Sequence, residues 1–216
     1  MFSSLFFYPV AQTADVLLME NRKNGITQFL DTLSTESGAV VGAAVMNCNP
    51  FTKGHRYLIE QAAAQVDTLH LFVLSEDKSF FPADDRMMLV KQGVADLKNV
   101  IVHPTGDYLI SAATFPTYFL KDKTPAGDIH CLLDIAVFTR YFVPAFSITR
   151  RYVGEEPLSQ VTNQYNQALK AHLPGLGISV VEIPRKCQSD GITPISASAV
   201  RDLLEQGKLS QLRDLV

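Results

Sequence analysis

The chain has 216 residues, of which 47% are hydrophobic and 19% are charged, and its formal net charge is -3. This length favours one main domain with an appendage, and the small, mixed charge excludes a broad basic face for nucleic acid. Three widely spaced cysteines and the absence of a basic leader or an apolar run of roughly 20 residues favour a reduced, cytoplasmic protein without a membrane span.

The N-terminal part, residues 1–37, is predicted to be a helical appendage to a main domain that covers residues 38–216. Apolar residues within Val16–Leu33 recur at roughly helical spacing, which predicts short helical pieces. The polar stretch Ser34–Gly38 that follows is expected to form the boundary between the two parts.

From residue 38 onward, short β-branched segments alternate with longer amphipathic segments. The predicted strands are Ala39–Met46, Leu69–Leu74, Val100–Val102, Ile148–Val153 and Ile178–Ile183. The predicted helices are Gly54–Gln65, Pro82–Leu97, Ile129–Phe142 and Thr162–His172. Strands that are apolar on both faces and separated by helices predict an α/β fold with a doubly wound parallel sheet of five strands. Such sheets bind ligands at the carboxyl ends of their strands.

The first candidate site is the loop Asn47–His55, which connects the first main-domain strand to an amphipathic helix. A helix start offers unpaired N–H groups to phosphate, and Gly54 lets the phosphate approach the backbone. Thr52 and His55 can donate further hydrogen bonds. The alternative is an ordinary turn at Asn49 followed by a helix that Thr52 caps. The position at the end of the first strand favours phosphate binding.

The second candidate site is the predicted helix start at Pro194–Arg201. The hydroxyl groups of Ser196 and Ser198 and the guanidinium of Arg201 could hold the β and γ phosphates. Arg201 would neutralise the charge that develops on departing pyrophosphate. Taken alone, the segment is more simply explained by serine N-capping, with Arg201 in solvent.

Together, the two segments resemble the paired signatures of the nucleotidyltransferase superfamily of adenylyl and cytidylyl transferases. The matching patterns are Thr52-x-Gly54-His55 and Ile195-Ser196-x-Ser198-x-x-Arg201. A closer resemblance, to the catalytic domain of citrate lyase ligase, rests on Asn47–Thr52, Ser111–Lys121, Arg151–Pro157 and Tyr165-Asn166. Two features depart from that family: Lys53 stands where an apolar residue is expected, and residues 1–37 are too short for the acetyltransferase-like domain that usually comes first.

The resemblance implies a Rossmann-like fold and an ATP-dependent acid-thiol ligase that forms AMP. Such an enzyme adenylates acetate, releases pyrophosphate and transfers the acetyl group to the prosthetic-group thiol of the citrate lyase acyl carrier subunit. Mg2+ would be carried by the phosphates, because the motifs supply no carboxylate cage and no protein metal site is expected. Two alternatives remain open: an adenylyltransferase acting on a phosphate monoester such as phosphopantetheine, and a nucleotide-binding regulatory module without turnover.

The predicted site residues follow from the two motifs and from the resemblance. The predicted catalytic residues are His55, Arg201, Ser198 and Lys121. The predicted nucleotide-binding residues are Asn47, Asn49, Phe51, Thr52, Gly54, His55, Arg86, Gly154, Glu155, Ile195, Ser196, Ser198 and Arg201. Cys48 lies in the first loop, but no base is adjacent in sequence, so a nucleophilic role is not expected.

Three of these predictions have equally simple alternatives. Arg86, at a helix start, could be a cation over a phosphate or an ordinary solvent-exposed residue. The aromatic segment Thr114–Lys121 could form a wall for acetate or the thiol arm, with Lys121 as its cation. Alternatively, it could be a helix that packs Phe115, Tyr118 and Phe119 into the core. Gly154 and Glu155 follow the fourth strand and could hold adenine or ribose, whereas adjacent glutamates commonly form only a solvated loop.

Overall fold

A computed structural model describes residues 2–116, 125–157 and 159–216. The main strands are β3 Val41–Met46, β4 Thr68–Val73, β5 Val100–Pro104, β6 Arg150–Gly154 and β7 Ser179–Ile183. They form one parallel sheet in the order β5-β4-β3-β6-β7, so the strand order reverses between β3 and β6. This arrangement confirms the predicted doubly wound sheet of five strands.

Helices cover both faces of this sheet. They are α1 Gly25–Leu30, α2 Lys53–Ala63, α3 Ala83–Gly93, α4 Pro125–Val137, α5 Val143–Phe146, α6 Gln160–His172 and α7 Ala197–Glu205. A π-helical turn, Phe138–Phe142, joins α4 to α5, and short 3-10 turns lie at Phe2–Leu5, Pro174–Leu176 and Leu209–Asp214. Alternate residues of β4 face the two sides, so Leu71 packs with α2 and α3 whereas Phe72 packs with the π-helical turn. Burial on both faces explains the continuous apolar character of the strands.

The first part of the chain differs from the prediction. Strands β1 Tyr8–Gln12 and β2 Leu17–Glu20 form an antiparallel hairpin, and α1 follows them. Only the second half of the stretch Val16–Leu33 is therefore helical. Pairing with β1 gives β2 its backbone hydrogen bonds, and this tertiary contact outweighs the local spacing of apolar residues. Val10 of the hairpin is buried in the same apolar cluster as α4.

One helical stretch corrects the expectation that no apolar run reaches membrane-spanning length. Residues Gly127–Phe146 form 20 helical residues that are long and apolar enough to cross a bilayer by length and composition alone. In this fold, Phe142 and Phe146 pack edge-on against Phe72 of the sheet, with ring centroids 5.3 and 5.2 Å away. About half of the stretch, 44%, is buried, as expected for a helix that packs along one face. The apolar composition is therefore explained by core packing.

His70 and His103 form a buried pair between β4 and β5. Nδ1 of His70 lies 2.9 Å from Nε2 of His103, and Nε2 of His70 lies 2.9 Å from the carbonyl oxygen of Glu36. Since a carbonyl only accepts, we assign the His70 proton to Nε2 and let His103 donate to Nδ1. Burial lowers the pKa of both rings, and for His103 burial and repulsion from His70 bring it to about 4. Both rings are therefore neutral at neutral pH.

We expect this pair to make the fold sensitive to acid. Between about pH 6.5 and about pH 4 the unfolded chain binds a proton at His103 that the folded chain rejects, so stability falls as pH falls. At about pH 5 the loss is of the order of 2 kcal/mol for this group. The free energy of unfolding in urea, determined near neutral pH and near pH 5, measures this loss of stability. Glutamine does not titrate, so the free energy of unfolding of His103→Gln should depend less steeply on pH than that of the wild type. Equal pH dependence in the two proteins would contradict the assignment of a neutral, buried His103.

Candidate nucleotide site

A cavity of about 1030 Å³ opens at the carboxyl ends of β3, β6 and β7. Its walls come from the loops after these strands and from the N-terminal turns of α2 and α7. The strand order reverses between β3 and β6, where the crossover connections leave on opposite sides and a crevice results. The cavity therefore lies where a doubly wound sheet binds its ligand.

The two sequence motifs meet at this cavity. Nη1 of Arg201 donates a hydrogen bond of 2.5 Å to the carbonyl oxygen of Asn49, and Nη2 donates one of 2.9 Å to the hydroxyl of Ser198. A Cβ atom on Gly54 would lie 3.3 Å from the carbonyl oxygen of Ile195. Glycine at this position lets the first turn of α2 lie directly against the second motif. Both helix starts consequently line one space.

His55 is held in a defined orientation by the start of α2. Thr52 caps the helix: its hydroxyl accepts the N–H of His55, and its own N–H donates to Nδ1 of His55 at 3.1 Å. Because an amide N–H only donates, we assign the ring proton to Nε2. Burial lowers the pKa of His55 to about 4, and repulsion from Arg185 contributes. The ring therefore offers the cavity a neutral N–H donor.

The alternative for the second motif is observed only in part: a serine caps the helix, but Arg201 is hydrogen bonded and does not lie free in solvent. The hydroxyl of Ser196 accepts the N–H of Ala199 at 3.1 Å and caps α7. A hydroxyl that accepts this bond still has its own proton to donate, so capping and ligand binding are compatible. Ser196 and Ser198 both line the cavity.

Lys53, the residue that departs from the family pattern, has a structural partner. Its side-chain amine donates to the carbonyl oxygen of Arg213, and its backbone N–H donates to that of Leu215 at 2.8 Å. These bonds fasten the last turn of the chain to the start of α2. The lysine therefore serves the docking of the C-terminal turn, and its side chain points to the protein surface rather than to an apolar neighbour.

The structure places Arg86 differently from the prediction that it binds the nucleotide. Its side chain is 0% exposed and does not line the cavity. The guanidinium donates to the carbonyl oxygens of Phe81, Leu74 and Glu76 and to both oxygens of Asn47, at 2.8–3.0 Å. These acceptors lie at the ends of β3 and β4 and in the loop that follows β4. Arg86 thus connects the loops after β3 and β4 through hydrogen bonds, and its guanidinium does not face the cavity where phosphates were predicted to bind.

Phe51 is also placed differently from the prediction. A Cβ atom on Gly93 of α3 would lie 2.2 Å from its ring, so Phe51 fills the space above that glycine. The ring packs with the apolar cluster beneath α2 and α3 and does not line the cavity. It stacks on His55, with centroids 6.0 Å apart. Phe51 therefore supports the histidine from behind instead of contacting a nucleotide.

The remaining predicted loop residues reach the cavity. Asn47, Asn49, Gly154 and Glu155 line it. The carbonyl oxygen of Gly154 accepts a 2.9 Å hydrogen bond from the buried amide of Asn166, which fixes the loop after β6. The side chain of Glu155 is exposed and remains accessible to a ligand.

The aromatic segment is only partly described, because Tyr118, Phe119 and Lys121 lie outside the described residues. Its first residues point inward. The hydroxyl of Thr114 donates to Asp134 at 3.1 Å, and the ring of Phe115 packs 5.4 Å from that of Tyr165. Both residues are buried, so the core-packing alternative is confirmed for Phe115.

Sequence reasoning missed the cations that follow β7. Arg185 pairs with Glu156, with Nη2 2.7 Å from Oε2, and its buried Nη1 has no hydrogen-bond partner among the described residues. The ammonium of Lys186 lies over the ring of Tyr57, 5.6 Å from its centroid. Both residues line the cavity. Their position directly after a parallel strand was the available signal, since all such strands end at the same edge.

Cys48 is buried and unsuited to nucleophilic attack. Burial raises the pKa of its thiol to about 12, although the nearby charge of Arg86 opposes this shift. A thiol with this pKa carries almost no thiolate at neutral pH. The structure therefore agrees with the expectation that Cys48 is not a nucleophile.

The comparisons with known proteins agree with this geometry. A sequence model described as citrate lyase ligase C-terminal domain matches residues 41–216. The chain belongs to the citrate lyase ligase family. It is 44% identical to a citrate (pro-3S)-lyase ligase of Klebsiella pneumoniae, over 100% of this chain and 65% of that protein. It is 43% identical to the Escherichia coli protein of the same name, over 93% of this chain and 58% of that protein.

The chain spans 58–65% of the length of these relatives. Among solved structures, the pantothenate synthetase of Thermus thermophilus is similar with a TM-score of 0.50 and 17% identity. That match covers 84% of this chain and 75% of the synthetase. At this identity, the likeness shows the shared fold.

Proposed function

We propose that this chain binds ATP in the cavity and catalyses the AMP-forming activation of acetate. The acetyl group then passes to the prosthetic-group thiol of the citrate lyase acyl carrier subunit. The observation that carries the proposal is the convergence of the N-termini of α2 and α7 on one space, tied together by Arg201. Two positive helix ends and the Nε2–H of His55 are suited to a triphosphate.

The chemistry requires no covalent bond to the protein. An acetate oxygen attacks the α phosphorus and pyrophosphate leaves; the thiol sulfur then attacks the acetyl carbon and AMP leaves. The protein aligns the reactants and stabilises charge. We assign the phosphate hydrogen bond to His55, the charge on departing pyrophosphate to Arg201, and a further donor to Ser198. Lys121 remains a predicted catalytic cation.

Mg2+ fits this site only as a companion of the phosphates. Among the residues that the structure describes, no group of three or more histidine, cysteine or acidic side chains could hold a metal ion. Of the two glutamates at the cavity, Glu156 is committed to Arg185 and Glu155 is exposed. Mg2+ accepts water and phosphate oxygens with few protein ligands. We therefore propose that it enters with ATP, where it would neutralise the phosphate charge.

The decisive experiment is ATP–pyrophosphate exchange. Labelled pyrophosphate enters ATP only if an adenylate forms reversibly, so exchange should depend on acetate and be absent with chloride. Adding a thiol acceptor should then release AMP and pyrophosphate in equal amounts. Exchange that requires phosphopantetheine instead would support the adenylyltransferase alternative. Binding of ATP without exchange on either acceptor would support the module without turnover.

A substitution at Gly54 tests the contact between the two motifs. A valine there would press against the carbonyl oxygen of Ile195 and push α7 away, and overpacking of this kind costs about 1–3 kcal/mol. We expect Gly54→Val to weaken ATP binding about tenfold or more, measured by calorimetry. Gly175→Val is the control, since nothing lies within 4 Å of a Cβ atom there. Equal ATP affinity in both variants would show that the motif contact is dispensable.

A cytoplasmic location is the setting that we propose for this activity. Cys48, Cys131 and Cys187 are all free thiols. Free thiols persist where glutathione and thioredoxin keep cysteines reduced. The net charge of -3 also favours a small-molecule substrate and a protein partner over nucleic acid.

A further inference from the structure

Arg151 is a buried cation on the floor of the cavity. It lies on β6, its side chain is 2% exposed, and it is among the residues that line the cavity. Its Nε and Nη1 atoms are buried and have no hydrogen-bond partner among the described residues. Polar groups buried in native proteins are almost always hydrogen bonded, and a buried charge without an acceptor is costly. These two donors are therefore open to an acceptor that enters the cavity.

The acidic side chain near Arg151 does not supply that acceptor. The oxygens of Asp134 accept the N–H of Ile110 at 2.6 Å and the hydroxyl of Tyr165, also at 2.6 Å. None of the ion pairs within the described parts of the chain joins Asp134 to Arg151. Tyr165, whose side chain is hydrogen bonded to the guanidinium, and Asp134 both favour the charged form of Arg151, but neither provides a partner for Nε or Nη1. On its other side, the guanidinium lies over the ring of Phe138, 5.3 Å from the centroid.

Beside Arg151 the cavity is lined by two aliphatic side chains and by a tyrosine whose hydroxyl is bound to Asp134. Ile110, Val153 and Tyr165 all line the cavity and are nearly buried. Ile110 has a φ of 46°, which a β-branched residue adopts only at a cost, and Asp134 holds its N–H in that conformation. The result is one buried cation with two aliphatic side chains beside it. This combination suits a small anion that carries a short alkyl group.

We propose that Arg151 binds the carboxylate of the small acid substrate. This inference rests on the proposed function and specifies where its acyl substrate binds. The backbone of Arg151 lies three residues before the end of β6, roughly 10 Å along the strand, and its side chain lines the cavity onto which both helix starts open. The alkyl group contacts Ile110 and Val153, which line the cavity beside Arg151. Arginine pairs with carboxylate oxygens by charge-assisted hydrogen bonds.

Ligand-induced thermal stabilisation tests the assignment without requiring turnover. Acetate and propionate, added at constant ionic strength against chloride, should raise the Tm of the wild-type chain saturably, because a ligand that binds only the folded state stabilises it. Arg151→Met should abolish this rise. Arg150→Met is the matched control: Arg150 is its neighbour on β6, but its guanidinium donates to the carbonyl oxygen of Gln65 and does not line the cavity.

Each outcome decides the proposal. A wild-type chain whose Tm is the same in acetate and chloride overturns it. A larger rise with inorganic phosphate than with acetate, lost in Arg151→Met, also overturns it, since the site would then hold a phosphate. If Arg151→Met does not fold, Arg151→Lys replaces it and should show a weakened rise at higher acetate concentration.

Exchange kinetics separate this inference from the proposed function. In Arg151→Lys, the KM for acetate should rise about 10- to 100-fold, whereas the KM for ATP should stay near its wild-type value. A purely structural role would change both constants or only the amount of folded protein. Acetate binding that depends on Arg151 without any acetate-dependent exchange would refute the proposed function and leave the anion site standing. Exchange with an unchanged acetate KM in Arg151→Lys would refute the site alone.

Discussion

His55→Ala is expected to lower acetate-dependent ATP–pyrophosphate exchange about 100-fold or more. The reason is the loss of a neutral Nε2–H donor aimed at a phosphate oxygen, an effect comparable to the loss of one oxyanion-hole donor. Since a donor of this kind acts mainly in the transition state, the turnover rate should fall while the Kd for ATP changes little. Exchange rates and calorimetric ATP binding measure the two quantities separately.

The control for this variant must account for helix capping. His55 also accepts the N–H of Thr52, so its removal weakens the capping box and costs about 1 kcal/mol of stability. Urea unfolding measures this loss of stability separately from the loss of catalysis. His172→Ala is the matched variant, because His172 is exposed at the end of α6 and outside the cavity. If His55→Ala retained near-normal exchange at full ATP saturation, His55 would not be catalytic.

The lowered pKa of His55 leads to an expectation for the pH profile. With a pKa of about 4 the ring is already neutral above about pH 5, so its donor role should not titrate near neutral pH. The exchange rate of the wild type should therefore show no ionisation near pH 6.5 that His55→Ala removes. An ionisation near pH 6.5 that disappears in His55→Ala would mean that the charged imidazolium, not the neutral ring, acts in the reaction.

Arg86→Met is expected to lower the free energy of unfolding by about 3–5 kcal/mol. The guanidinium is buried and bonds several carbonyl oxygens at the ends of β3 and β4, and its removal leaves these acceptors unsatisfied. Arg86→Lys should also destabilise the fold, because one ammonium cannot reproduce a planar fork with five N–H donors. Urea unfolding near neutral pH provides the measurement.

The loop at Asn47 links this stability effect to the site. Two of the hydrogen bonds from Arg86 go to Asn47, which lines the cavity, so ATP binding should weaken in both variants. Arg140→Lys serves as the control, because Arg140 is exposed on the π-helical turn. An Arg86→Lys protein with wild-type stability would show that the hydrogen bonds of the buried guanidinium are not needed to stabilise the ends of β3 and β4.

The succession of main strands and helices along the chain can be predicted from local sequence. Each of these elements is long enough for its own periodicity to show, and strands buried on both faces give uninterrupted apolar segments. Helix starts were predictable for the same local reason, because Thr52 and Ser196 cap the turns that follow them in sequence. Residues of the motifs reached the cavity because parallel strands all end at one edge.

The burial of charged residues, in contrast, depends on contacts between distant parts of the chain. Arg86 and Arg151 each look like surface residues in sequence, yet both are enclosed in the fold. Their environments come from strands and loops that lie far away in the chain: Arg86 meets the end of β3, and Arg151 meets the π-helical turn. The β1–β2 hairpin likewise depends on pairing between segments. The spacing of apolar residues indicates only the periodicity of one segment. The contacts of a side chain depend on long-range packing, about which that spacing gives no information.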